Sequence, residues 1–176
     1  FERCYLEIIA IDPQAAAPAR PRWFGLDDPG LREAARREPR FVHAVARTTN
    51  VEMLRWGLVN CRLDPGTPLA AHRDTPAGRL SWRITVRDDR RLECSGALPT
   101  LIEWQGPHPC DAMPASPVVL TALSLCGMPP AASAVLRLAG VDTERTAGPP
   151  WQARLRTPRG EVMLSSWTAD QAATTD

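Results

Sequence analysis

The stretch Pro99–Gly106, P-T-L-I-E-W-Q-G, decides how the rest of the chain is read. It is a short apolar strand with a carboxylate, Glu103, at its centre. With a period of two, Leu101, Glu103 and Gln105 share one face, and Ile102 and Trp104 share the other. Burying an unpaired carboxylate is costly, so Glu103 is expected to meet water, a cation or a metal ion.

Working outward, Arg79–Val86 shows the cleanest alternation in the chain. Leu80, Trp82, Ile84 and Val86 oppose Arg79, Ser81, Arg83 and Thr85. The two stretches are expected to be hairpin neighbours, which makes Arg83 the natural partner of Glu103, because a guanidinium fork fits a carboxylate. Trp82 and Trp104 stand on apolar faces and are expected to pack the sheet against helices.

Upstream, Phe41–Thr48 is a strand with His43, Val45 and Arg47 on one face. Thr49 with Glu52 forms a capping box that opens a helix over about Val51–Leu58. A weak strand near Leu69–Arg73 follows, so 41–112 reads as one strand–helix–three-strand unit. Cys4–Ile11 is a further strand, again with a lone carboxylate, Glu7, in its middle. It reads as the last strand (1–11) of a truncated module whose beginning would precede Phe1. Residues 12–40 form a connector with one short helix, started by Asp28-Pro29 and closed before Pro39.

Beyond the proline-rich Pro107–Pro117, the order recurs in shortened form over 117–168. Val118–Leu125 is a strand, Pro130–Ala139 a helix, and Trp151–Thr157 with Glu161–Trp167 a hairpin. Residues 169–176 read as a frayed tail. These elements make the chain one α+β domain over 1–168.

Composition narrows the function classes. The 176 residues and 44% hydrophobic content suit one globular domain. A formal net charge of +1 leaves no footprint for nucleic acid or a membrane surface. No apolar run is long enough to span a bilayer, and no signal peptide is read. The five cysteines contain no C-x-x-C pair, so they read as scattered thiols of a cytoplasmic protein. Neither a glycine-rich phosphate loop nor an H-E-x-x-H helix is present.

Three blocks, C-Y-L-E-I-I-A-I-D-P at 4–13, L-S-W-R-I-T-V at 80–86 and P-T-L-I-E-W-Q-G-P-H-P at 99–109, carry a resemblance. They resemble the bacterial glyoxalase-like domain proteins of the vicinal oxygen chelate superfamily. The resemblance runs from Cys4 to about Ser165. It implies paired βαβββ modules whose curled antiparallel sheets enclose a small-molecule pocket, often with one divalent metal. It further implies metal ligands on the first and last strands of each module. Matched onto this chain, these are Glu7 and Glu103 on last strands and His43 on a first strand. The implied chemistry is that of a metal-dependent lyase, isomerase or dioxygenase.

The residues themselves leave alternatives open. Glu7 and Glu103 suit a divalent metal, and equally suit an arginine partner. His43 reads as a metal ligand, a general base or a hydrogen-bonded core residue. Arg83 and Arg73 suit an anionic substrate group, with a surface role as the plainer account of Arg73. His108, five residues beyond Glu103, reaches the same pocket rim or, like His72, is a solvated loop residue. Two function classes follow: an enzyme acting on a small polar or anionic metabolite in a pocket of Glu7, Glu103 and Arg83, and a metal-free, non-catalytic module that sequesters a small molecule. An aromatic-lined groove at a homodimer interface would mark the second.

Overall fold

The computed structural model describes residues 4–89, 91–143 and 147–166. Helix α1 (Pro29–Arg37) starts as the sequence requires, with Asp28 accepting the Leu31 N–H at 2.9 Å and proline in the first turn. The first sheet then assembles from β1 (Val45–Arg47), β2 (Thr67–Thr75), β3 (Gly78–Val86) and β4 (Thr100–Gln105), with α2 (Val51–Asn60) crossing between β1 and β2. The strand order is β1-β4-β3-β2. The first strand lies parallel to the last, and the other pairings are antiparallel. This is a complete βαβββ unit, as expected. Parallel pairing of β1 with β4 needs a long crossover, which α2 and the β2–β3 hairpin supply.

Register separates the two faces of the sheet. Arg83 stands opposite Glu103, Trp82 opposite Trp104, and Ile84 opposite Ile102. Leu101 faces α2, where it joins Val51, Leu58, Leu98 and Ala132 in one core cluster. Val51, Leu58 and Leu101 are fully buried, each stabilising the fold by about 1.5–3 kcal/mol through lost apolar exposure. On the other face, Ile84, Val86 and Ile102 pack with Trp82, Trp104, Trp23 and Phe24. The tryptophans of the sheet therefore pack against a loop rather than against a helix. Trp23 and Phe24 come from a 3-10 turn, Trp23–Gly25, inside the connector.

The second sheet contains β5 (Val119–Leu125), β6 (Trp151–Thr157) and β7 (Gly160–Ser165), with α3 (Pro130–Leu136) between the first two. Its order is β5-β6-β7, all antiparallel. The strand–helix–strand–strand order of the first unit thus recurs, but its first strand pairs with the second and not with the last. Helix α3 lies close against α2: a Cβ added at Gly57 would sit 2.8 Å from Val135 Cγ1. The sheets meet through Trp151, which clusters with Ala97 and Leu125, backed by Phe41 and Ala44.

Several expectations are corrected. Residues 4–11 join no strand. Their β-branched content favours an extended chain, but a strand exists only through a neighbour's ladder, and here side chains alone touch the sheet. Leu6, Ile8 and Ile9 stay exposed. The strand expected over Phe41–Thr48 shortens to Val45–Arg47, with Phe41 making a lone bridge to Ser166. The cap of α2 is Asn50, whose side chain accepts the Met53 N–H at 2.9 Å; the Thr49–Glu52 box does not form, because Glu52 turns to Arg83. The tail over 169–176 lies outside the described residues.

Candidate functional site

The alternation of β4 puts Glu103 on the helix-bearing face of the sheet. Its Oε2 accepts the backbone N–H of Val51 at 2.7 Å, satisfying a first-turn donor of α2 at the positive end of the helix dipole. Arg83, its cross-strand neighbour, pairs with Glu52 in the first turn of the same helix. The expected Arg83–Glu103 pair is replaced by two parallel ties from the sheet to one helix end. Both side chains are engaged there, away from the tryptophan face.

The opposite face carries a strip of rings. Trp82 and Trp104 lie 5.2 Å apart, His108 is 5.7 Å from Trp104, and Tyr5 is 6.1 Å from His108. Arg73, opposite Leu80, belongs to the Trp82 face by register, and its guanidinium is 4.0 Å from the exposed Glu7 carboxylate. The segment 4–11 therefore rests against this face through Tyr5 and Glu7. Burial, then the nearby Glu7, pushes the Tyr5 phenol up to about 12, so it remains a donor in ordinary conditions. His108 is buried, and its Nδ1 accepts the Cys110 N–H at 3.2 Å, capping a 3-10 turn over Pro109–Asp111. The solvated reading of His108 is thereby corrected, while His72 is exposed on β2. Cys4, which reads as buried from its apolar neighbours, is exposed.

His43 occupies the other end of the same face, just ahead of β1. Its ring stacks on Phe24 with centroids 5.3 Å apart. Nε2 accepts the Thr100 N–H at 3.1 Å and lies 3.1 Å from the Thr100 hydroxyl. Burial drives its pKa down to about 4, so the imidazole is neutral at physiological pH. The adjoining cavity, about 30 Å³, is lined by residues that include Phe24, Thr85, Pro99 and Thr100. Arg87, also in its lining, gathers the carboxylates of Asp64, Asp89 and Glu93. The guanidinium holds the Asp89 carboxyl well below the usual range and ties the loop after β3 to the turn before β2.

These positions do not fit a metal centre. Glu103 is committed to α2, Glu7 sits on an exposed segment beside Arg73, and His43 is closed in behind Phe24. Among the described residues, no group of three or more His, Cys, Asp or Glu side chains is placed to hold a metal ion. No helix among them is long and apolar enough to cross a membrane. The contributions of Trp23, Phe24 and Thr100 escape a reading by periodicity. A usable signal was the adjacent Trp-Phe pair in a proline-rich connector, since two large aromatic side chains there need a surface to cover.

The chain matches the family model described as a glyoxalase-like domain over residues 1–141. No curated protein and no solved structure matches it.

Proposed function

The chain belongs to the glyoxalase-like domain family, and from that premise we propose that it binds a small molecule against the aromatic face of its first sheet, without a metal ion. The βαβββ pairing is consistent with the vicinal oxygen chelate superfamily. The observation that carries the reading is the division of the candidate ligands between two faces. Glu103 and Arg83 serve α2 on one side, whereas His43, Trp82, Trp104 and Arg73 belong to the other. An apolar face with a few convergent polar groups is the usual form of a small-molecule site. Stacking on Trp82 and Trp104 supplies contact area, and Arg73 with Tyr5 supplies polar direction.

Tryptophan emission tests the proposal, because Trp82 and Trp104 would report occupancy directly. The purified chain is titrated with a panel of small neutral and anionic metabolites, with and without a chelator, and again with added Mn²⁺ or Zn²⁺. The expected result is a saturable emission change that the chelator does not alter. Binding that vanishes on chelation and returns with the metal would overturn the metal-free reading. A panel without any saturable response, on a chain folded by circular dichroism, would count against the binding role itself.

A further inference from the structure

We infer that His43 is the hydrogen-bond donor of a binding site for a small neutral molecule bearing a carbonyl or similar acceptor oxygen. The inference rests on the binding role proposed above and gives its ligand a chemistry.

The tautomer of His43 follows from its neighbour. The Thr100 backbone N–H can only donate, and it points at Nε2 from 3.1 Å. The N–H is shared with the Ala44 carbonyl at 3.2 Å; with its other branch on Nε2 we assign Nε2 as the lone-pair nitrogen, which puts the hydrogen of the neutral ring on Nδ1. That Nδ1 is buried and has no hydrogen-bond partner. Buried donors are nearly always satisfied, and leaving one unpaired is destabilising. A buried donor beside a cavity and without an acceptor is suited to an acceptor brought from outside.

The surroundings select the acceptor. The cavity of about 30 Å³ has Trp23, Phe24 and Pro99 in its wall, with Thr85 and Thr100 as polar neighbours. That space admits a water or the head of a small polar group. With the imidazole neutral, no cation stands at Nδ1 to offset an anion's desolvation. Of the two arginines in the cavity's lining, Arg87 already holds three carboxylates and Arg91 acts on the Asp89 carboxylate. A neutral carbonyl oxygen fits these conditions and a carboxylate does not.

A route in is also visible. Trp23 and Phe24 also line a second, open trough of about 440 Å³, so the two spaces share these residues in their walls. Phe24 adopts φ 60°, a conformation uncommon for a bulky residue and strained relative to the right-handed region. Displacing Phe24 would relieve that backbone and join the two spaces above His43.

Acetamide and acetate, alike in size and opposite in charge character, test the inference on the whole chain labelled with ¹⁵N-histidine. The expected result is that the His43 ring signals report the Nδ1–H tautomer and that acetamide shifts Nδ1 saturably. Acetate should bind about tenfold more weakly or worse, as should acetamide to a His43→Phe chain. Phe24→Gly, which accepts the positive φ, should admit the larger benzamide with the same Nδ1 shift. An Nε2–H tautomer, an Nδ1 signal unmoved by acetamide (a buried water only), or acetate binding as tightly as acetamide would each overturn the inference. If panel compounds still change the Trp82 and Trp104 emission while Nδ1 stays unmoved, this inference fails and the binding role stands. If neither responds, both fail.

Discussion

Glu103 accepts a hydrogen bond of 2.7 Å from the backbone N–H of Val51. The carboxylate at the centre of β4 therefore completes the N-terminus of α2 from across the sheet. Asn50 already caps the Met53 N–H, so the helix end has two acceptors for two different donors. Glu103→Ala strands the Val51 N–H beside a fully buried Val51 side chain. The expected loss is about 1–2 kcal/mol in urea unfolding. Glu103→Gln keeps an acceptor oxygen but not the charge at the helix dipole, and should lose less than half as much. Equal losses for the two variants would mean that the hydrogen bond is not what Glu103 contributes.

Arg83 and Glu52 form the second tie to the same helix end. Their side chains are 30% and 45% exposed, so solvent screens the pair. A double-mutant cycle with Arg83→Met and Glu52→Gln should give a coupling of about 0.2–1 kcal/mol. The corresponding cycle between Arg83 and Glu103, neighbours by register alone, should give less. The reverse order would restore the cross-strand pair that the alternation suggests.

That contrast shows what the amino-acid pattern carries. The alternation in Arg79–Val86 and Pro99–Gly106 is strong enough to fix the hairpin register, and Arg83 does stand opposite Glu103. Which face receives the helix is not written there, because Leu101 and Ile102 make both faces of β4 apolar. The choice depends on Val51 and Leu58, more than forty residues upstream, and it reassigns Glu103 from a pocket to a cap. Cys4–Ile11 illustrates the converse. Its β-branched residues favour an extended backbone, yet pairing is non-local and the segment meets the sheet only through Tyr5 and Glu7. His43 was legible as a residue of interest, but its partner Thr100 and its cover Phe24 come from positions that no local periodicity connects.

His43 also gives the fold a pH dependence whose sign can be worked out. The unfolded imidazole takes up a proton near 6.5, whereas burial lowers the folded value to about 4. Between these values the unfolded chain binds more protons, so stability falls as pH drops from about 6.5 toward 4. Replacing the ring by an uncharged amide, His43→Gln, should remove that slope. The stabilisation that Arg87 gives the Asp89 carboxylate is present above its ordinary 3.8 and is lost only as pH falls below it, so the two effects occupy different windows. Unfolding midpoints measured across this range should fall with pH in the parent and stay level in His43→Gln. A slope that persists unchanged in His43→Gln would assign it to other groups.

Trp151 joins the second sheet to the loop ahead of β4. It is 2% exposed, its indole N–H donates to the Gly96 carbonyl at 2.9 Å, and its backbone N–H donates to the Ser166 hydroxyl at 2.9 Å. The loop it holds is a demanding one: Cys94 and Ser95 have φ of 52° and 53°, with Gly96 at 92°. Successive residues in the left-handed region persist only where surrounding contacts impose them, and the indole is the contact that reaches Gly96. Trp151→Phe keeps most of the apolar packing but orphans the Gly96 carbonyl, with an expected cost of about 2–3 kcal/mol. Trp151→Ala should cost about 3–5 kcal/mol because a cavity is added. Native-state hydrogen exchange separates the two contributions. In Trp151→Phe the amides of Ala97 and Leu98, which donate to Cys94 and Glu93, should exchange faster than the global loss of stability requires. Exchange that merely tracks global unfolding would leave packing, and not the indole hydrogen bond, as what holds the loop.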